Sequence, residues 1–190
     1  MAGFSLIDVL CALGLAATLT GVAVPEALTA LSDVRASGAA RHLAAQLQGA
    51  RVRAILRGRD VAVGVSRDTR GYVFTVYEDG NRNGILTRDI DEGVDRVVGR
   101  PLRLSDDFPG VDLGSRADVP GVEGSAPPGT DPVRLGTTDR ATFTPDGTAT
   151  PGSLYVRGAG DTQFVVRLYG DTGRTRILRY HPRSGTWDAL

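Results

Sequence analysis

Asp79-Gly80-Asn81-Arg82-Asn83-Gly84-Ile85 carries oxygen-bearing side chains at alternate positions ahead of a glycine. Alternate hard oxygens followed by a sharp turn let a short segment wrap one cation, the opening of a calcium-binding loop. In that reading Asp79, Asn81 and Asn83 ligate through their side chains and Ile85 offers its carbonyl. Asp89 and Asp91 complete the shell, and the ion implied is Ca2+. Ile90 stands where such a loop places its bidentate Glu, so the later ligands would need a different geometry. The same spacing also describes a solvated Asx-rich turn that follows a strand.

Arg174, Arg176 and Arg179 lie in a basic tail with no acid between Gly173 and Thr186. Alternate positions of a strand share a face, so Arg174 and Arg176 project together. Arginines placed this way could hold phosphates, with Tyr180 and Trp187 as stacking surfaces; such binding is salt-dependent and indifferent to sequence. The plainer reading is an edge strand protected by charge.

Asp8 is the single charge between Phe4 and Val24, a run of otherwise apolar and small residues. At 1.5 Å per residue that run is about 30 Å long, enough to cross a bilayer core. A carboxylate there is costly unless paired, which makes it a functional residue by default. A secretory signal fits poorly, because no Lys or Arg precedes the run and an acid lies inside it. A plain single-pass anchor is the other alternative.

No catalytic pattern accompanies these groups. His42 and His181 are far apart, and no nucleophile elbow, P-loop or HExxH occurs, so no enzyme is expected. Arg supplies all 22 basic residues and Asp plus Glu number 22, which leaves no global field to attract nucleic acid. Cys11 is the only cysteine, so no intrachain disulfide can staple the fold.

The elements that position these residues follow from periodicity. Leu28, Leu31 and Val34, then Leu43, Leu47, Ala50 and Ala54, recur near the helical repeat. One helix is expected from Leu6 to Leu56, kinked or passed through at Pro25 and ended by Gly58. Residues 4–24 would be its membrane or filament-core part and residues 25–58 its amphipathic continuation. Strands are expected at 61–66, 72–77, 140–144, 153–157, 162–169 and 174–180, with a weaker one at 94–104. Most of residues 105–139 reads as a long loop, with one short strand. Length and the turn-rich composition, 25 Gly and 10 Pro in 190 residues, fit one β-rich body over residues 59–190.

Gly3-Phe4-Ser5-Leu6-Ile7-Asp8-Val9-Leu10 resembles the processing signal of type IV pilins and type II secretion pseudopilins. Leu56-Arg57-Gly58, Phe143-Thr144-Pro145-Asp146-Gly147 and Thr172-Gly173-Arg174-Thr175-Arg176, in this order, resemble the GspH/FimT branch of those proteins. The resemblance implies an α+β pilin-like fold, a long N-terminal helix on a C-terminal antiparallel sheet or sandwich. It implies cleavage of a leader, residues 1–3, after Gly3 by a prepilin peptidase, with N-methylation of Phe4. Asp8 then stands at the acidic position that would pair with a neighbour's Phe4 amine and set the register between subunits, and Pro25 at a common helix proline. The chain departs from the pattern in having Asp where Glu is usual and no basic residue in its leader. The partners implied are other pseudopilins or minor pilins, the peptidase and an inner-membrane assembly platform, with the body in the periplasm. The function implied is protein secretion through a pseudopilus. The alternative is type IV pilus DNA uptake, in which a Gly-Arg-x-Arg segment, here beginning at Gly173, contacts DNA.

Overall fold

The computed structural model describes residues 5–190; Gly3 and Phe4 lie outside the described residues. Helix α1 (Leu6–Arg57) is 52 residues long. Ser5 caps its start: the Ser5 hydroxyl accepts the Ile7 N–H at 3.3 Å, and Asp8 Oδ2 accepts the Ser5 N–H at 3.0 Å. Gly58 ends it at φ 60°, a left-handed conformation that costs glycine no Cβ clash. Pro25 lies inside the helix without ending it, although it has no N–H for the Gly21 carbonyl. The Thr29 hydroxyl donates to the Pro25 carbonyl at 3.0 Å just beyond.

The helix has two unlike halves. Leu6, Leu10, Leu13, Leu19, Leu28 and Leu31 are all exposed. From Ala36 onward one stripe is buried: Ala36, Ala39, Ala40, Leu43, Leu47, Ala50 and Ala54, at helical spacing. Most of that stripe is alanine, so the helix axis approaches the sheets closely, and Leu43 and Leu47 fill the space between them.

Ten strands follow, in two antiparallel sheets. The first sheet runs β3 (Arg96–Val97), β2 (Gly71–Glu78), β1 (Val61–Asp68), β6 (Arg140–Phe143). The second runs β10 (Thr186–Ala189), β9 (Thr175–His181), β8 (Gln163–Leu168), β7 (Gly152–Arg157). Two short strands, β4 (Asp112–Leu113) and β5 (Val133–Leu135), share the remaining edge of β7. Residues of α1 and of both sheets form one core, in which Phe74, Phe143, Phe164 and Leu154 meet the alanine stripe. The α+β expectation of a long helix on antiparallel sheets is met.

Residues 105–139 do more than connect. Besides β4 and β5, Val119 and Val122 of this segment cover the outer face of the second sheet. They pack with Tyr155, Val165, Leu178 and Tyr180, and Trp187 closes that cluster. The second sheet is therefore buried on both faces, which is why Leu154, Tyr155 and Val156 are all buried in a row. The 94–104 stretch holds only two strand residues, and short helices α2 (Thr87–Asp91) and α3 (Leu104–Asp107) flank it.

Candidate functional surfaces

The exposed half of α1 carries most of the exposed large apolar side chains among the described residues. Its described side chains through Leu31 are exposed on every side of the helix, so no stripe of this half faces the chain's own body. A helix apolar all round needs a lipid or protein environment around it. Asp8 is exposed at its start and is spent within the chain on the Ser5 N–H.

Where α1 meets the body, its polar side chains hold turns. Gln48 Nε2 donates to the Gly173 carbonyl at 2.9 Å, and Arg51 Nε donates to the Gly147 carbonyl at 3.1 Å. Gly147 has φ 87° and Gly173 φ 58°. A Cβ on Gly173 would lie 2.4 Å from the Gly147 carbonyl oxygen and 2.8 Å from Arg51 Nε. Two turns far apart in sequence are thus clasped together against one face of the helix.

The Asp79 loop is held by its own hydrogen bonds. Asp79 is buried; its Oδ1 accepts the N–H groups of Asn81 (3.0 Å) and Arg82 (2.7 Å), and its Oδ2 accepts that of Gly84 (3.0 Å). Asp89, also buried, accepts Asn81 Nδ2 at 3.1 Å and Asn83 Nδ2 at 2.8 Å through one oxygen. The Asn83 and Asn81 amides hold its carboxyl below the usual carboxylate range. Ile85 is half-buried and Asp91 exposed, on the rim of this network. Asp95, absent from the sequence-based ligand set, is buried and accepts the N–H groups of Gly80 (3.1 Å) and Leu86 (3.0 Å). Among the described residues no group of three His, Cys, Asp or Glu is disposed to hold a metal ion. The arrangement as it stands shapes a loop through carboxylate acceptors.

The three tail arginines do not share a face. Arg176 projects to the outer side of the second sheet, where its Nη1 is 3.8 Å from Glu123 Oε1. Arg174 precedes β9 and is exposed on that same parity. Arg179 is on the opposite side, facing α1, where it pairs with Asp33 and lies 5.9 Å over the Phe164 ring. The proposed stacking residues are committed elsewhere: Tyr180 is buried with its ring 5.3 Å from that of Trp187, and Trp187 Nε1 donates to the Pro120 carbonyl at 3.1 Å.

A family model described as type II transport protein GspH matches residues 39–173, from the packed half of α1 to the clasped glycine Gly173. The chain belongs to the GspH family. The match takes in the Gly147 turn and the Asp79 loop, and it begins where α1 becomes buried. The exposed half of α1 and Asp8 lie before it. No sequence among the curated proteins matches this chain. Among solved structures, two of the minor pseudopilin EpsH from the type 2 secretion system of Vibrio cholerae are similar, both at 18% identity. One covers 76% of this chain and 97% of its own at a TM-score of 0.47; the other covers 83% and 94% at 0.42.

Proposed function

We propose that this GspH-family chain is a minor pseudopilin of a type II secretion machine, stored in the inner membrane with its body in the periplasm. A prepilin peptidase cuts after Gly3, Phe4 becomes the methylated N-terminus, and the assembly platform moves the subunit into a pseudopilus. The observation that carries the reading is the division of α1. One stripe of its C-terminal half is buried on both sheets, while its N-terminal half, from Leu6 to Leu31, is largely apolar and exposed. By length and composition that half can cross a membrane. The same surface can later pack among the helices of sister subunits, where each buried leucine is worth roughly 2 kcal/mol relative to its exposure to water. Asp8 has a role in both settings. In the single chain its carboxylate caps the helix; in a filament it can turn to the amine at a neighbour's residue 4, a stronger partner than a neutral N–H.

DNA uptake draws less support, because Arg179 is committed to Asp33 and Arg176 faces Glu123.

The test is mass spectrometry of the full chain from cells with an active prepilin peptidase. Loss of residues 1–3 with one added methyl at Phe4 is expected. A chain that still begins at Met1 under those conditions would overturn the reading.

A further inference from the structure

An open cleft of about 970 Å³ lies beside the C-terminal end of α1, at the free edge of the first sheet. Five arginines line it: Arg53, Arg57, Arg59, Arg82 and Arg96. Glu78, Asp79 and Glu92 also line it, so in a chain whose charges sum to zero the cleft keeps a net positive lining. Two of the five have internal duties. Arg53 Nε pairs with Glu78 at 2.9 Å, and Arg59 donates to the carbonyls of Asp79 and Gly80 at 3.1 and 2.9 Å. Arg57, Arg82 and Arg96 are exposed, and among the described residues no carboxylate pairs with them. Glu92 is the one exposed acid that shares the cleft.

Arg82 is placed there at a cost. Its φ is 66°, a left-handed conformation that is strained for arginine and easier for Asn81 or Asn83 on either side. The Asp79 carboxylate, accepting the Arg82 N–H at 2.7 Å, holds that conformation. The buried loop network therefore presents an arginine to the cleft. The cleft lining also includes Val94, Val97 and Val98, and β3 beside it has only one strand partner.

We infer that this cleft binds an extended acidic peptide segment of another protein. Three unpaired guanidinium forks suit carboxylates, the valines suit apolar side chains between them, and the open edge of β3 suits an extended backbone. Anionic lipid headgroups are out of reach once α1 is anchored, because Val24 and Arg53 are separated by roughly 44 Å of helix at 1.5 Å per residue. The inference goes beyond the pseudopilin reading and does not depend on processing at Gly3.

The test uses the full chain in detergent micelles and a fluorescein-labelled ten-residue peptide of alternating Glu and Val. Fluorescence anisotropy should show saturable binding that weakens as salt rises. The Gln-for-Glu peptide should bind about tenfold or more weakly, and the double variant Arg82→Gln/Arg96→Gln should lose a similar factor. Arg174→Gln, on the other sheet, should bind like the parent. Arg57→Gln, on the exposed last turn of α1, gives a second cleft variant should the Arg82 loop lose its shape. Equal binding of the Glu and Gln peptides would overturn the inference. So would unchanged binding by both cleft variants, or a ten-nucleotide oligothymidylate that binds more tightly than the Glu peptide and displaces it.

Discussion

Asp33 of α1 pairs with Arg179 of β9 across the seam between helix and second sheet. Asp33 also accepts the Thr162 hydroxyl at 2.7 Å, so one carboxylate ties the helix to β9 and to the turn before β8. This tie lies one turn before Ala36, where the buried stripe begins. Asp33→Ala removes both bonds from a half-exposed site and should cost about 1–2 kcal/mol. Arg179→Ala should cost a similar amount through lost contact with Phe164. A double-mutant cycle by urea denaturation of the full chain in detergent measures the coupling. If Arg179 instead served DNA alone, its removal would leave stability unchanged.

Gly173 is the tightest point of the clasp. Alanine there would need a left-handed backbone and would place its methyl 2.4 Å from the Gly147 carbonyl oxygen. Strain and overpacking together should cost about 3 kcal/mol. Thermal unfolding of Gly173→Ala against Gly185→Ala checks the cause: Gly185 also has positive φ, 68°, but no atom lies within 4 Å of its Cβ position. Gly173→Ala should melt well below Gly185→Ala, and equal melting points would remove the clash from the account.

The Asp79 loop should stand without an ion. Asp79 accepts three backbone N–H groups and Asp95 two, so the loop is held in shape by hydrogen bonds of its own. Asp79→Ala leaves three donors without their acceptor in a part-buried loop and should cost about 2 kcal/mol. Adding EDTA or calcium to the parent chain should leave its melting point unmoved. An ion held at a hundredfold excess over its Kd would add about 2.7 kcal/mol, a rise easily seen.

Much of this was legible in the residues, and the gaps have physical causes. The end of α1 at Gly58 and the paired runs at 61–66 and 72–77 follow from local signals: a left-handed cap, alternation of Val with small residues in the first run, and a β-branched and aromatic second run. The clasp showed as glycine-bearing turns, Gly147 and Gly173, whose common reason is their meeting on Gln48 and Arg51. Asp95 gave no signal, because its partners Gly80 and Leu86 are recognisable only once the loop is folded. Nor could alternation within β9 show that Arg179 faces Asp33, since their contact spans most of the body. The 105–139 segment reads as loop because its buried residues Val119, Val122, Val133 and Leu135 are spaced by turns and carry no period.

Acid should loosen the β1–β2 hairpin in a defined window. Arg103 places its guanidinium on Asp68 in a two-pronged pair, one prong at 2.9 Å, and joins the end of β1 to the segment before α3. The Arg103 hydrogen bond, helped by the Arg70 N–H, lowers the Asp68 carboxyl to about 2. A carboxyl depressed in the folded chain binds its proton more weakly there than in the unfolded chain. Its contribution to stability is therefore complete above the ordinary carboxylate range near 3.8 and is lost as pH falls toward about 2. Asp68→Asn should flatten the acid limb of the stability profile between those values and leave stability above pH 5 lowered by a constant amount. Urea midpoints of parent and variant, taken from pH 6 down to pH 2, make the comparison. Parallel acid limbs would show that another carboxylate governs that range. Convergence of the two curves near pH 2 would assign it to the Arg103 pair.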